Sequence, residues 1–215
     1  MFDRDNFKYD EESHKGFYRG VLVPSVTQLI ECLYPLDDDI PEERLTNAAK
    51  RGTTIHNEIA EINTIINRHI LPFDKASQSS EQVKDYVAFI NAYHLTPLRF
   101  EEMVFLLDED KELICYGTYD LILGAYQDIE PFKAQKCYLF DIKTTSVFNK
   151  PKTALQTQIY RVAFKQMFPN LEIEDETFGL HIRDDIKAIP LKAESDDYII
   201  RECKMLRGIW NEQNK

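Results

Sequence analysis

Apolar residues return at helical spacing through the first part of the chain. Between Glu43 and Ile70 they fall at Leu45, Ala48, Ala49, Ile55, Ile59, Ile62, Ile65 and Ile66, which predicts the longest helix, with Gly52 as its one weak point. A second amphipathic helix is predicted over Ser80 to Tyr93, with Val83, Tyr86, Val87 and Ile90 on one side. Before these, Phe17 to Val23 reads as a strand, and Pro24-Ser25 opens a short helix through Tyr34 with Ser25 as its cap. Pro35 to Pro41 is turn-rich. The period then drops towards two. Phe100 to Leu107 and Leu113 to Leu123 predict a hairpin closed by the charged turn Asp108-Glu109-Asp110-Lys111, and Cys137 to Thr145 a third strand. A helix over Lys152 to Phe168, strands over Phe178 to Arg183 and Ala188 to Leu191, and a helix over Asp196 to Trp210 complete the pattern.

This order predicts an α/β fold with a central mixed β-sheet flanked by helices. The chain reads as a single domain over residues 1–215, with N-terminal helices in 25–94, a sheet and helix in 100–168, and C-terminal strands and a helix in 177–212. A hydrophobic share of 43% is enough for a sizeable core. No stretch is apolar and long enough for a membrane span, and residues 1–15 lack the apolar core of a secretory signal, so the expected location is the cytoplasm. Cys32, Cys115, Cys137 and Cys203 are scattered without a C-x-x-C pair and read as reduced, structural thiols.

The net charge of −11 argues against a protein that coats nucleic acid by bulk positive charge, since phosphate affinity comes from Lys and Arg. It is compatible with clustered carboxylates that hold cations. Two motifs stand out on otherwise apolar strands, Gly117-Thr118-Tyr119-Asp120 and Asp141-Ile142-Lys143. Period-two geometry puts Asp141 and Lys143 on one face, where Asp120 from the neighbouring strand can join them. Two carboxylates can hold a hard cation, and an ammonium beside them can stabilise charge on a phosphorus centre. Gln156 and Tyr160, at i and i+4, share one helix face.

Taken together, these residues resemble the RecB-type branch of the PD-(D/E)XK nucleases, a branch that includes phage exonucleases and the mitochondrial genome maintenance exonuclease. Val23-Pro24-Ser25-Val26-Thr27 resembles its PSVT opening, Arg51-Gly52-Thr53-Thr54-Ile55-His56 its RG-T-x-x-H helix, and Gly117-x-x-Asp120 and Asp141-x-Lys143 its two central motifs. Glu102, at the head of the hairpin, is matched to its E-x-x-V element, while Glu101 beside it points to the opposite face and either could be inward. Gln156-x-x-x-Tyr160 resembles its Q-x-x-x-Y helix. The blocks span roughly residues 17 to 165 and are specific only in combination.

The resemblance implies a restriction-endonuclease-like core and a metal-dependent deoxyribonuclease that uses one or two Mg²⁺ or Mn²⁺ ions. The metal ligands it implies are His56, Asp120, Asp141, the backbone carbonyl of Ile142, and Glu102. Lys143, Asp141, Asp120 and Gln156 would carry catalysis, while Tyr160, Gln156, Arg51, Lys150 and Lys152 would contact DNA. It favours an exonuclease acting on DNA ends or single strands in recombination, repair or phage genome processing, in a bacterial or phage-infected cytoplasm, with a recombination or replication protein as a further partner. A structure-specific endonuclease and a non-catalytic DNA-binding module are the alternatives. Arg161 and Lys165 extend the run of basic residues around Lys143 into a candidate funnel for phosphates. His14, His69, His94 and His181 lack matching context and read as structural or surface residues. Some members hold an iron–sulfur cluster through one early and three late cysteines; here only Cys32 and Cys203 are so placed, and no cluster is expected.

Overall fold

The computed structural model describes residues 2–35, 41–67, 79–183 and 185–214, without the side chains of Glu42, Arg44 and Leu45. A 3-10 turn, Arg4–Asn6, leads into β1 (Phe7–Asp10), β2 (Lys15–Tyr18) and β3 (Val21–Val23), then α1 (Val26–Glu31), α2 (Glu42–Asn67) and α3 (Glu81–Ala92). The long strands β4 (Leu95–Leu107) and β5 (Leu113–Ala125) are followed by β6 (Cys137–Lys143), α4 (Lys150–Met167), β7 (Thr177–Ile182), β8 (Ile186–Leu191) and α5 (Asp196–Gln213). The fold is α/β. Its central sheet has the order β4-β5-β6-β7-β8, antiparallel except for the parallel pair β6 and β7, which α4 connects.

Helices cover both faces of this sheet. On one, α1, α4 and α5 bury Leu29, Ile159, Phe164, Leu206 and Trp210 against Val104, Ile122 and Leu139. On the other, Ile55, Ile59 and Ile62 of α2 and Val83, Tyr86 and Phe89 of α3 pack on Leu121, Phe140 and Leu180. Each fully buried aliphatic or aromatic side chain contributes about 1.5–3 kcal/mol of transfer free energy, so both layers are strongly held. Ser25 caps α1 through a reciprocal capping box with Gln28. Among the described residues no helix is long and apolar enough to cross a membrane.

The N-terminal segment departs from its expected form. The strand predicted over Phe17 to Val23 is broken by Arg19 and Gly20, both at positive φ, into β2 and β3, and β1 pairs with β2 to complete a three-stranded sheet. Phe7 and Tyr18 pack there against Phe105 and Tyr116 on the hairpin. Ala48 and Ala49, expected inside, are exposed, because only the later turns of α2 lie on the sheet. β4 begins at Leu95, five residues early, across an irregularity between Pro97 and Arg99. His69 and the expected end of α2 at Ile70 lie outside the described residues, as does most of the Pro35 to Pro41 turn.

Candidate active site

One rung across three adjacent strands assembles the acids. In the β4–β5 register Phe100 faces Leu121 and Glu102 faces Tyr119, so Glu101 between them lies opposite Asp120. In the β5–β6 register Leu121 faces Phe140, which carries Asp120 to the level of Asp141. Backbone pairing between β5 and β6 stops at that step. The Asp120 carboxylate takes over, accepting the Ile142 backbone N–H on Oδ2 at 2.6 Å. The Ile142 N–H therefore faces the acids.

His56 reaches the same rung from α2. Its Nδ1 lies 3.5 Å from Glu101 Oε1 and 3.6 Å from Asp120 Oδ1. Ligand atoms of His56, Glu101 and Asp120 all lie within 4.8 Å of one another. Beside them, Asp141 is 1% exposed, and its Oδ2 is 2.6 Å from Lys143 Nζ, an ion pair without the angles of a hydrogen bond. Lys143 Nζ donates to Gln156 Oε1 at 3.0 Å, and Gln156 Nε2 donates to the Tyr160 hydroxyl at 3.3 Å. A polar chain thus runs from Asp141 through Lys143 and Gln156 to Tyr160.

The electrostatics follow from packing like charges in a dry place. Burial first, and then the Asp141 carboxylate, push the Asp120 carboxyl up to about 7, against the pull of His56 and Lys143. Burial disfavours charge on His56, but the Glu101 hydrogen bond and the Asp120, Glu101 and Asp141 charges outweigh it and raise the imidazole to about 9. For Lys143 the burial penalty is likewise outweighed by Asp141 and Asp120, which keep the ammonium charged. The cluster therefore sets three carboxylates, Glu101, Asp120 and Asp141, against two cations, His56 and Lys143.

Several expected roles change. Glu102 turns away from the site and forms a 2.8 Å ion pair with Arg99, while Glu101, at φ +51°, takes the inward place. The signal was present: E-x-x-V counted back from Val104 begins at Glu101. Tyr160, expected to meet DNA, is 4% exposed with its ring against Gly117, where an added Cβ would sit 2.7 Å from Cε1. It supports Gln156 from below instead of stacking on a base. Arg51 Nη2 donates to the Thr144 carbonyl at 2.9 Å and ties the His56 helix to the end of β6. Lys152 Nζ reaches the Tyr34 carbonyl at 3.4 Å, and Lys150 is exposed at the start of α4.

Arg161 and Lys165 do not belong to a phosphate funnel. Arg161 is fully buried and pairs with Asp175 and Asp196 while donating to the Glu194 carbonyl and Gln158, and Lys165 joins the same acids. This network fastens α4 to the segments entering β7 and α5. His181, read as structural or surface, donates from Nε2 to the Thr145 carbonyl oxygen at 2.8 Å, which assigns its proton to Nε2. All four cysteines are free thiols, with Cys115 and Cys203 buried. Compared with models of known protein families and with curated proteins, the chain matches none.

Proposed function

We propose that this chain is a metal-dependent deoxyribonuclease with a restriction-endonuclease-like core, acting on DNA ends or single strands. The observation that carries the reading is the convergence of Glu101, Asp120, Asp141 and His56 beside the Lys143–Gln156 pair. One imidazole nitrogen with carboxylate oxygens is a donor set suited to Mn²⁺ or Mg²⁺. The raised Asp120 fits such an ion, because burial first and the Asp141 carboxylate second disfavour its charge, and a cation would relieve both. His56, Glu101 and Asp120 would hold the cation, with Asp141 as the next donor. When bound, it would polarise a phosphate oxygen and lower the pKa of an attacking water.

The remaining residues supply positioning and charge. Lys143, held ionised by its acidic neighbours, can stabilise the charge that builds on a phosphodiester during in-line attack. Gln156 accepts from Lys143 and fixes where its ammonium points; Tyr160 fixes Gln156. A plain binding module has no use for a buried carboxylate–lysine pair oriented in this way.

The test is digestion of end-labelled single-stranded and duplex DNA and of a closed circle, in Mn²⁺, Mg²⁺ or EDTA. Metal-dependent loss of linear DNA, a spared circle, and inactive but folded Asp141→Asn and Lys143→Met variants are expected. Cut circles would indicate an endonuclease. A folded wild type that hydrolyses nothing in either metal would overturn the assignment.

A further inference from the structure

The strand that carries Asp141 and Lys143 leaves the sheet at its functional end with little backbone to hold it. β6 pairs with β5 only as far as Phe140, opposite Leu121, and with β7 only as far as Lys143, opposite His181. A strand end without a ladder partner opens at almost no cost in free energy. Lys143 is that end residue, and its Nζ has to lie between Asp141 Oδ2 at 2.6 Å and Gln156 Oε1 at 3.0 Å.

Side chains from three other elements take the place of the missing ladder. Asp120 of β5 accepts the Ile142 N–H, Arg51 of α2 donates to the Thr144 carbonyl at 2.9 Å, and His181 of β7 donates from Nε2 to the Thr145 carbonyl at 2.8 Å. The last two hold consecutive carbonyls immediately beyond Lys143. His181 is itself well anchored. Its backbone is paired to Lys143 on one flank and to Lys187 of β8 on the other, and its ring packs against Phe148 with centroids 5.6 Å apart. Phe148 lies over Gly179, in space that any Cβ there would occupy, so the chain beyond Lys143 folds back onto β7. Residues opposite one another in neighbouring strands project from the same face, which sets His181 beside Lys143.

We propose that His181 is a positioning residue for DNA hydrolysis: its Nε2–H, given to the Thr145 carbonyl, fixes the backbone just past β6 and thereby the direction in which the Lys143 ammonium points. The inference rests on the deoxyribonuclease reading above. His181 acts through the peptides that follow Lys143, not on the cation or the phosphodiester itself. Losing its donor should therefore displace Lys143 while leaving in place the His56, Glu101 and Asp120 ligand atoms, which stand on α2, β4 and β5.

The experiment compares wild type with three variants. His181→Phe keeps a ring against Phe148 but has no N–H; His181→Gln keeps an amide donor of similar reach but no ring; His181→Asn keeps an amide that stops short of the carbonyl. Rates are measured on end-labelled single-stranded DNA in Mn²⁺, metal affinity by calorimetric titration, and backbone opening by hydrogen exchange over residues 143–147. Misplacing a catalytic group by about 1 Å costs roughly a hundredfold, so His181→Phe and His181→Asn should lower kcat about ten- to hundredfold, with KM and the Mn²⁺ Kd within about twofold and faster exchange in that segment. His181→Gln should keep kcat within about threefold and exchange near that of wild type. Folded His181→Phe or His181→Asn with kcat within about twofold of wild type would overturn the proposal and leave the nuclease reading intact. So would His181→Gln as impaired as His181→Asn, or a loss of Mn²⁺ affinity that matches the loss of kcat. Wild type that hydrolyses no DNA in either metal would sink the nuclease reading and this proposal with it.

Discussion

Raising the pH of the protein in EDTA should destabilise it, because the His56–Asp120 cluster keeps protons that the unfolded chain would release. Asp120 stands at about 7 and His56 at about 9 in the fold, against ordinary values of 3.8 and 6.5. Both folded values lie above the unfolded ones, so between about pH 4 and pH 9 the folded chain binds more protons and stability falls as pH rises. The contribution of each group is complete below its unfolded value and gone once pH has passed its folded value. Taken as independent, at 1.36 kcal/mol per pK unit, the two remove about 3 kcal/mol between pH 6 and pH 8. For a chain of this size that is a drop in Tm of roughly 6–12 °C. Mn²⁺ bound as proposed would displace the same protons, so its stabilisation should be larger at pH 8 than at pH 6. Thermal melts in EDTA and in Mn²⁺ at both pH values, for wild type and for an Asp120→Asn/His56→Gln variant, provide the assay. The reasoning fails if wild type in EDTA is as stable at pH 8 as at pH 6, or if the double variant shows the same slope.

Other substitutions separate roles that adjacent residues share. Glu101→Gln should weaken Mn²⁺ binding by tenfold or more, while Glu102→Gln, which loses only a half-exposed pair with Arg99, should leave it within about twofold; calorimetric titration reads both. Gly117→Ala would press a methyl onto Tyr160 and Val26, costing about 1–3 kcal/mol and lowering kcat through the displaced Gln156. A urea melt with parallel kinetics checks this, and unchanged kcat would show that Tyr160 does not support the site. Single-strand binding that uses Lys150 and Lys152 alone should fall with salt at a log–log slope of about −1.4, two contacts at roughly 0.7 each. A much steeper slope would place the contacts elsewhere on the chain.

The sequence displayed the layers well, because burial on one face leaves a periodic imprint: Ile55, Ile59 and Ile62 of α2, and Val83, Tyr86 and Ile90 of α3, all fall inside. It displayed the N-terminal sheet poorly. Phe7-Lys8-Tyr9-Asp10 alternates, but over only four mostly exposed residues, and the turn that divides β2 from β3 depends on Arg19 adopting a positive φ that its side chain does not announce. Asp141, Lys143 and Gln156 were legible because their relations are short-range, two residues along a strand and one helix face. Tyr160 and Arg161 were legible in spacing but not in destination, since α4 is packed on nearly all sides and both are buried.

The pair Glu101 and Glu102 shows where reading by period two ends, although the E-x-x-V spacing from Val104 already pointed to Glu101. The hairpin closes with Leu107 opposite Leu113, and carried on unbroken that register would set Phe100 opposite Asp120 and give Glu102, two residues along, the face of the site. The observed ladder shifts by one residue between Leu106 and Leu107, so Glu101 comes opposite Asp120 instead and Glu102 is turned to Arg99. A bulge of one residue inverts every side chain beyond it, and no local composition marks this one. Charge decides the outcome where periodicity does not. Glu102 beside Asp120 would leave Arg99 without its partner, whereas Glu101 finds His56, whose proton it helps to hold. The acid that completes the cluster is therefore selected by long-range pairing of β4 with β5 and α2, and a register variant that removes the bulge should exchange the roles of the two glutamates.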